Sequence, residues 1–313
     1  MLTPPARPDF AREAAATSTI TEPRCEQAVT IAAEHGVMPW TTTHDPEEFL
    51  ATAGDFLRSR LVAHNLILTI TDQLRRRGPR PAGPTLLGWW AGAAGAAGAF
   101  SRTPGYPLAV TPMPGPALDE LADMLVPPLP GIGAGTAAAR RFARRWQART
   151  GAGARVGRKE RLYRLGQLAP PDPLPPGRAR LAVGADRDLL HAWHEAFQEE
   201  VSAAGEPDIR AVVADRLGYG GLVLWEAGGE PVAMAARTPV VAGLSRVTAV
   251  YTPPQHRRHG YGAGATAAVS RQATEVGAAE VVLFTDAGHP GPNALYQGLG
   301  YRLAQERLVI AFT

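Results

Sequence analysis

Lysine is nearly missing from this chain of 313 residues: all but one of its 32 basic residues are arginine, and the exception is Lys159. Any phosphate-gripping lysine of a GxxxxGK loop, or any Schiff-base lysine, would have to be that one residue, and no such glycine pattern precedes it. Cysteine is as scarce. With Cys25 alone, internal disulfides and multi-thiolate zinc sites are excluded, the thiol reads as inert, and no metal is expected. No apolar run approaches the ~18 residues that a membrane helix requires, and the first twenty residues lack the charged start and apolar centre of a secretory signal. The expectation is a cytoplasmic protein without membrane contact.

Glycine and proline are plentiful, at 34 and 29, and predict many turns, while 45% apolar and 19% charged residues describe a folded chain. The length accommodates two cores of roughly 100–200 residues each. Residues 1–37 read as a peripheral extension. From Met38 a β-prone "MPWTTT" leads into "DPEEFL", where Asp45 can cap, Pro46 suits the first helical position and Glu48 completes a capping box, which predicts a helix from Pro46 to Arg60. "LVAHNLILTITDQLRRRG" ends with three cations on the negative end of a helix dipole before Gly78. "TLLGWWAG" and "PLAVTPM" read as strands, "PALDELADMLV" as a short helix, and "LPGIGAGTAAARRFARRWQART" as a glycine turn feeding a helix that buries Phe142 and Trp146. "ARVGRKERLYRL" follows as a strand. The proline-rich 167–178 can be neither helix nor inner strand and is read as a linker.

Beyond it the order is helix ("DRDLLHAWHEAFQEEV"), hairpin around Gly228-Gly229, strand "LSRVTAVY", glycine turn, a small-residue helix from Gly262 to Val276, strand "EVVLFTD", short helix "PNALYQGLG" and strand "YRLAQERLVIAF". Gly260, Gly262 and Gly264 recur every second residue, but the dinucleotide fingerprint needs its glycines directly after the strand, and "TPPQHRRH" intervenes. A glycine turn at a helix N-terminus offers a row of backbone N–H groups and the positive dipole end, and Arg257 or Arg258 can add charge-assisted bonds. Pyrophosphate fits this better than a carboxylate.

RxxGxG, here Arg257-Arg258-His259-Gly260-Tyr261-Gly262 after Val250-Tyr251-Thr252, resembles the coenzyme A pyrophosphate loop of the GCN5-related N-acetyltransferases (GNAT). "VVLFTD", Asn293 and "LYQGLGY", with Tyr296 and Tyr301, agree in order and spacing. Together with "VYTPPxHR" they resemble an actinobacterial-type tandem subgroup of that superfamily with a degenerate N-terminal copy of the fold. The resemblance is specific over about 180–313 and a matter of rhythm over 38–165. It implies an α/β architecture of two GNAT folds: a mixed, mostly antiparallel sheet flanked by helices, with a degenerate domain at 38–166, a linker at 167–178 and a catalytic domain at 179–313. It implies acetyl-CoA as acyl donor and an amine as acceptor, attacked directly in a ternary complex. The donor would be held by Val250, Tyr251 and Thr252 along the pantetheine, by Arg257, Arg258, His259, Gly260, Tyr261, Gly262 and Ala263 at the pyrophosphate, and by Asn293 at the pantetheine arm or through a water. Tyr296 would be the general acid near the sulfur. "PGIGAGTAAARRFARRW" would be the degenerate counterpart of the cofactor loop, with glycines but no arginine before them.

No carboxylate stands on the strand before the loop, so Asp286, His289 and Glu226 are base candidates by position only. Two rival readings stay open. Arg140, Arg141, Arg144 and Arg145, with Arg155, Arg158, Lys159, Arg161 and Arg164, form a basic set that an aminoacyl-tRNA donor could use. The chain could also bind acyl-CoA, or a partner, without catalysis.

Overall fold

The computed structural model describes residues 40–78, 83–93, 95–201 and 208–313. Cys25 and the extension at 1–37 lie outside them. Twelve strands form a single sheet in the order β1-β2-β3-β4-β5-β12-β6-β11-β10-β9-β8-β7. In the first half these are β1 (Trp40–Thr43), β2 (Leu86–Gly92), β3 (Gly95–Arg102), β4 (Leu108–Val110), β5 (Gly131–Gly135) and β6 (Ala154–Leu165). The second half supplies β7 (Arg178–Leu181), β8 (Leu222–Ala227), β9 (Glu230–Arg237), β10 (Leu244–Tyr251), β11 (Glu280–Asp286) and β12 (Tyr301–Phe312). Every ladder is antiparallel except β4–β5 and β10–β11. Exchanging each strand with the one six places later reproduces the same order reversed. The last strand of each half crosses over: β6 pairs with β11, β12 pairs with β5, and the two pair with each other in the middle.

Helices cover both faces. On one lie α3 (Gly115–Met124) and α4 (Thr136–Thr150) over the first half, and α7 (Tyr261–Glu275) and α8 (Pro290–Gly298) over the second. On the other lie α1 (Pro46–Ser59), α2 (Leu61–Arg77), α5 (Arg187–Val201) and α6 (Ile209–Gly218). Phe142 and Trp146 are buried as expected, and Phe312 of β12 stacks on both. The hairpin turn at Gly228-Gly229 has both φ values positive, 62° and 86°, which the right-handed twist of the flanking strands favours.

Several local expectations are corrected. The "GIGAG" stretch is the inner strand β5, not a turn. A Cβ at Gly131 would lie 2.2 Å from the Ile310 carbonyl oxygen, so glycine admits the close approach of β12, and α4 starts directly at the strand's end. The helix in the first half that follows the same parallel step as α7 is therefore α3, reached from β4 through Thr111–Pro114 alone. The capping box at α1 does not form: the Asp45 side chain accepts from the Glu47 amide at 2.8 Å, while Glu48 accepts from the Thr43 hydroxyl. Strand β3 (GAAGAFSR) and helix α6 went unforeseen. The proline-rich segment is ordered: the Pro176 carbonyl accepts from Trp225 Nε1 at 2.9 Å, and Pro175 is buried close to Gly260.

Candidate functional site

Strand β10 carries the defining irregularity. Its parallel ladder with β11 stops at Val247↔Leu283, although both strands run three or four residues further. On the other side, Thr248 faces Ala236 and Tyr251 faces Met234, so β10 holds one residue too many. Ala249 and Val250 form this bulge and have no opposite partner in either ladder. Ala249 has φ +40°, a conformation that side chains rarely adopt and that surrounding packing must hold. The bulge also resets which side chains point where. Val247 and Val250 pack on the α7–α8 face, whereas Thr248, Ala249 and Tyr251 turn towards α5 and α6. The bulge thus borders both faces of the sheet.

On the α7 side, Gly260 caps the helix with φ 80°, and the first intrahelical bond runs from Gly264 N to Gly260 O. The N–H groups of Tyr261, Gly262 and Ala263 precede that bond, so they are the unpaired donors of the helix start. A Cβ at Gly262 would meet only Thr252 Oγ1, at 3.1 Å, which leaves this backbone open to a bulky ligand. Gly264 serves packing instead: its Cβ would lie 2.8 Å from the Trp225 ring. The His259 ring stacks on Tyr261 at 5.5 Å, and Arg258 is exposed with φ 65°. Arg257 departs from expectation. Its Nε donates to the Thr252 carbonyl at 2.9 Å and its Nη2 pairs with Glu200, so it braces the loop against strand and helix α5. Tyr251 beside it has its hydroxyl pKa raised, by burial first and by Glu200 next.

Asn293 also departs from expectation. It is 4% exposed, and all four of its polar positions are engaged. Nδ2 donates to the carbonyls of Asp286 at 2.8 Å and His289 at 2.6 Å. Oδ1 accepts from Tyr163 at 3.1 Å and Arg161 at 3.3 Å. It has no capacity left for a pantetheine amide or a water; it ties α8 to β11 and β6. Tyr296, one turn on, packs on the same apolar cluster as Val250, Tyr261 and Ala263. Its ring meets Tyr301 edge-on at 6.1 Å, its hydroxyl has no hydrogen-bond partner among the described residues, and burial pushes its pKa up to about 12. Tyr296 therefore stays protonated across the physiological range.

The positional base candidates differ in their surroundings. Glu226 is held by Arg180 Nε at 2.5 Å on the outer strand pair, Asp286 Oδ1 accepts from the Gly288 amide at 2.7 Å, and His289 is exposed. Among the described residues no group of three or more His, Cys, Asp or Glu gathers to hold a metal, and no helix is long and apolar enough to cross a membrane. The basic set is dispersed. Arg141 and Arg145 make bidentate pairs with Asp119 and Asp123 of α3, Arg158 pairs with Glu160, Arg164 pairs with Glu280, and β6 is a central strand whose side chains alternate between faces. The N-terminus of α3 is covered by the Arg141 guanidinium, whose Nη1 lies 2.5 Å from the position of a Cβ at Gly115.

The opposite face opens into a cleft of about 460 Å³ between the halves, walled by α2, α5 and α6 and floored by β4, β5, β12, β6, β11 and β10. Thr248 and Ala249 line it. His194 on its wall has a pKa lowered to about 4, by burial first and by Arg216 next. Arg216 Nη1 donates to its Nε2 at 2.6 Å, and Nδ1 faces the Leu190 carbonyl at 2.8 Å, which fixes a neutral ring with the proton on Nδ1. Sequence reading missed the cleft because its floor is assembled by the strand exchange.

Residues 187–301, which span α5 to the start of β12, match the model of the Acetyltransferase (GNAT) family. Two solved structures share the fold over nearly the whole described chain. A GNAT-family acetyltransferase from Colwellia psychrerythraea aligns at TM-score 0.56 and 12% identity, covering 88% of this chain and 99% of its own. A Drosophila protein aligns at TM-score 0.60 and 15% identity, covering 86% and 95%. No curated protein matches significantly. The family match supports acyl transfer as the general class of chemistry, and the mixed α/β architecture matches that of GNAT acyltransferase structures.

Proposed function

We propose that the protein is an N-acetyltransferase that uses acetyl-CoA as donor and transfers the acetyl group to an amine in a ternary complex. The observation that carries this reading is the bulge at Ala249-Val250: two residues without a ladder partner lie between a helix N-terminus with free amides and a cleft on the opposite face. Pyrophosphate would sit on the amides of Tyr261, Gly262 and Ala263, where helix dipole and unpaired donors favour an anion. The pantetheine would extend along Val250–Thr252, where β11 has left the β10 edge, and would complete the ladder as a strand does. The thioester oxygen would then meet backbone donors at the bulge.

An amine entering from the cleft attacks the thioester carbon. A C–N bond forms, the C–S bond breaks, the amine's proton passes to solvent in the cleft, and the departing thiolate takes a proton from Tyr296. A tyrosine that is protonated at every working pH can play this part, and it is regenerated from solvent. The first half repeats the strand order of the second but reaches α3 through four residues with no glycine–arginine loop, and Arg141 covers that helix start. We read it as a second GNAT-type unit without a donor site.

Acetyl-CoA at a hundredfold excess over Kd should raise stability by about 2.7 kcal/mol, and amines should stimulate thiol release from it. A melting temperature unmoved by millimolar acetyl-CoA would refute the donor assignment.

A further inference from the structure

The cleft floor contains a buried cation that its surroundings do not balance. Arg307, on the exchanged strand β12, is 5% exposed. Its Nη2 donates to the Gly133 carbonyl at 2.9 Å, but its Nε has no hydrogen-bond partner, and the nearest Glu160 oxygen is 3.8 Å away. Glu160 is already committed to Arg158, which donates to Oε1 through Nε at 2.9 Å and Nη2 at 2.6 Å. Two arginines therefore share one carboxylate, and the more buried of the two has the weaker claim on it. Burial itself works against the charge of Arg307 and lowers its pKa, with Glu160 opposing. A buried charge lacking a close partner is costly, and proteins keep one where a ligand completes it.

The rest of the cleft does not offset this surplus. Its wall acids are paired with wall arginines: Asp72 with Arg76 at 2.8 Å, and Asp215 with Arg76 and Arg77 at 2.8 and 2.6 Å. Arg307 lies over the Phe284 ring at 5.2 Å, and Arg246 lies over the same ring at 5.8 Å, so a second guanidinium borders the floor. Thr248 Oγ1, next to the bulge, and Ser101 Oγ, on β3 of the first half, are buried with no hydrogen-bond partner, and both residues line the cleft. One cavity thus joins an anion-seeking base to an unsatisfied hydroxyl, that of Thr248, beside the backbone where acyl transfer would occur. Its volume suits a small molecule rather than a protein tail.

We propose that the acceptor is a small amine that also carries a carboxylate: the carboxylate seats against Arg307 at the base of the interhalf cleft, and the amine reaches the cleft side of the bulge, past Thr248 to Ala249. This rests on the acetyltransferase reading given above. It makes Arg307 a specificity-determining residue supplied by the exchange of β6 and β12, since its partner Gly133 belongs to the first half and Phe284 to the second.

The test uses the full chain and a panel of the twenty L-amino acids beside their carboxamides, which differ in the anionic group alone. Binding is read by calorimetry and acetylation by thiol release from acetyl-CoA. At least one acid should bind and react about 10- to 100-fold better than its amide, the range of one charge-assisted hydrogen bond. Arg307→Gln should erase that preference. Glu160→Gln, which removes the competing carboxylate, should instead tighten acid binding, a gain that no loss of structure produces. Amides bound as well as acids, a preference that survives Arg307→Gln, or the absence of binding by every acid would each overturn the proposal. Acetyl-CoA binding, measured separately by melting, tells this failure apart from failure of the acetyltransferase reading: a donor that binds while acids show no advantage sinks the acceptor class alone.

Discussion

Two glycines two residues apart in α7 should fail in opposite ways when substituted. At Gly262 a new Cβ meets only the Thr252 hydroxyl, at 3.1 Å, and that group can rotate away. Gly262→Val therefore costs the free protein less than about 1 kcal/mol, the ordinary spread of helix propensity, yet places a branched side chain where pyrophosphate would approach the amides. At Gly264 the Cβ lies 2.8 Å from Cε3 and Cζ3 of Trp225. That ring cannot retreat easily, because its Nε1 is bonded to the Pro176 carbonyl and it is 6% exposed. Overpacking of this kind costs about 1–3 kcal/mol, only partly offset by the better helix propensity of alanine. The assay is a thermal melt with and without acetyl-CoA. The wild type should gain about 5 °C at a hundredfold excess over Kd. Gly262→Val should melt near the wild-type temperature and lose the gain, whereas Gly264→Ala should melt several degrees lower and keep it. A Gly262→Val protein that retains the full ligand shift would refute the loop as the pyrophosphate seat. A Gly264→Ala protein as stable as the wild type would refute the packing argument.

Two further perturbations follow from the site. Tyr296→Phe should lower kcat about 10²-fold or more with the acetyl-CoA melting shift intact, because only the proton donor is removed; single-turnover thiol release checks this, and an unchanged kcat assigns the proton elsewhere. For His194, the folded-state pKa of about 4 lies below the unfolded value of 6.5. The unfolded chain binds the extra proton first, so this contribution to stability is full above about pH 6.5 and is lost as pH falls towards 4, up to about 3 kcal/mol. Urea midpoints at pH 7.5 and 5.0 should show the loss, and His194→Gln should flatten it.

The second half was legible because its signals were local and mutually consistent. The Gly228-Gly229 turn, the alternation in "LSRVTAVY" and the glycine row before a small-residue helix each predict one element, and β8–β9, β10 and α7 lie where they should. The glycines of β3 and β5 failed for the opposite reason. Gly98 admits Met113 and Gly131 admits the β12 backbone, and no local pattern announces a distant neighbour. Asn293 and Arg257 were singled out by motif position, but their partners, Tyr163, Arg161 and Glu200, lie 130, 132 and 57 residues away. A residue chosen by motif position carried a role that only tertiary contacts define. Glu160 and Arg307 sat inside runs that read as ordinary amphipathic strand.

Under the acetyltransferase reading, the strand exchange gives a half without a donor loop a part in the site. In a sheet where β6 lay beside β5 and β12 beside β11, each half would have its own floor and Glu160 would face first-half residues alone. With the two last strands exchanged, Arg307 pairs directly with Glu160 across the β12–β6 ladder, and eleven such pairs join the halves at the centre of the sheet. Helix α2 then becomes a wall over the second half's β10, where Asn65 Oδ1 accepts from Arg246 at 3.1 Å and Arg76 and Arg77 reach Asp215 of α6. The first half has no glycine–arginine loop and a covered helix start at α3, but it contributes β6, β5 and α2 to the cavity that borders the bulge. Under the acetyltransferase reading the division of labour is spatial. The donor face is built from α7, α8 and β10 of one half, and the acceptor cleft requires both.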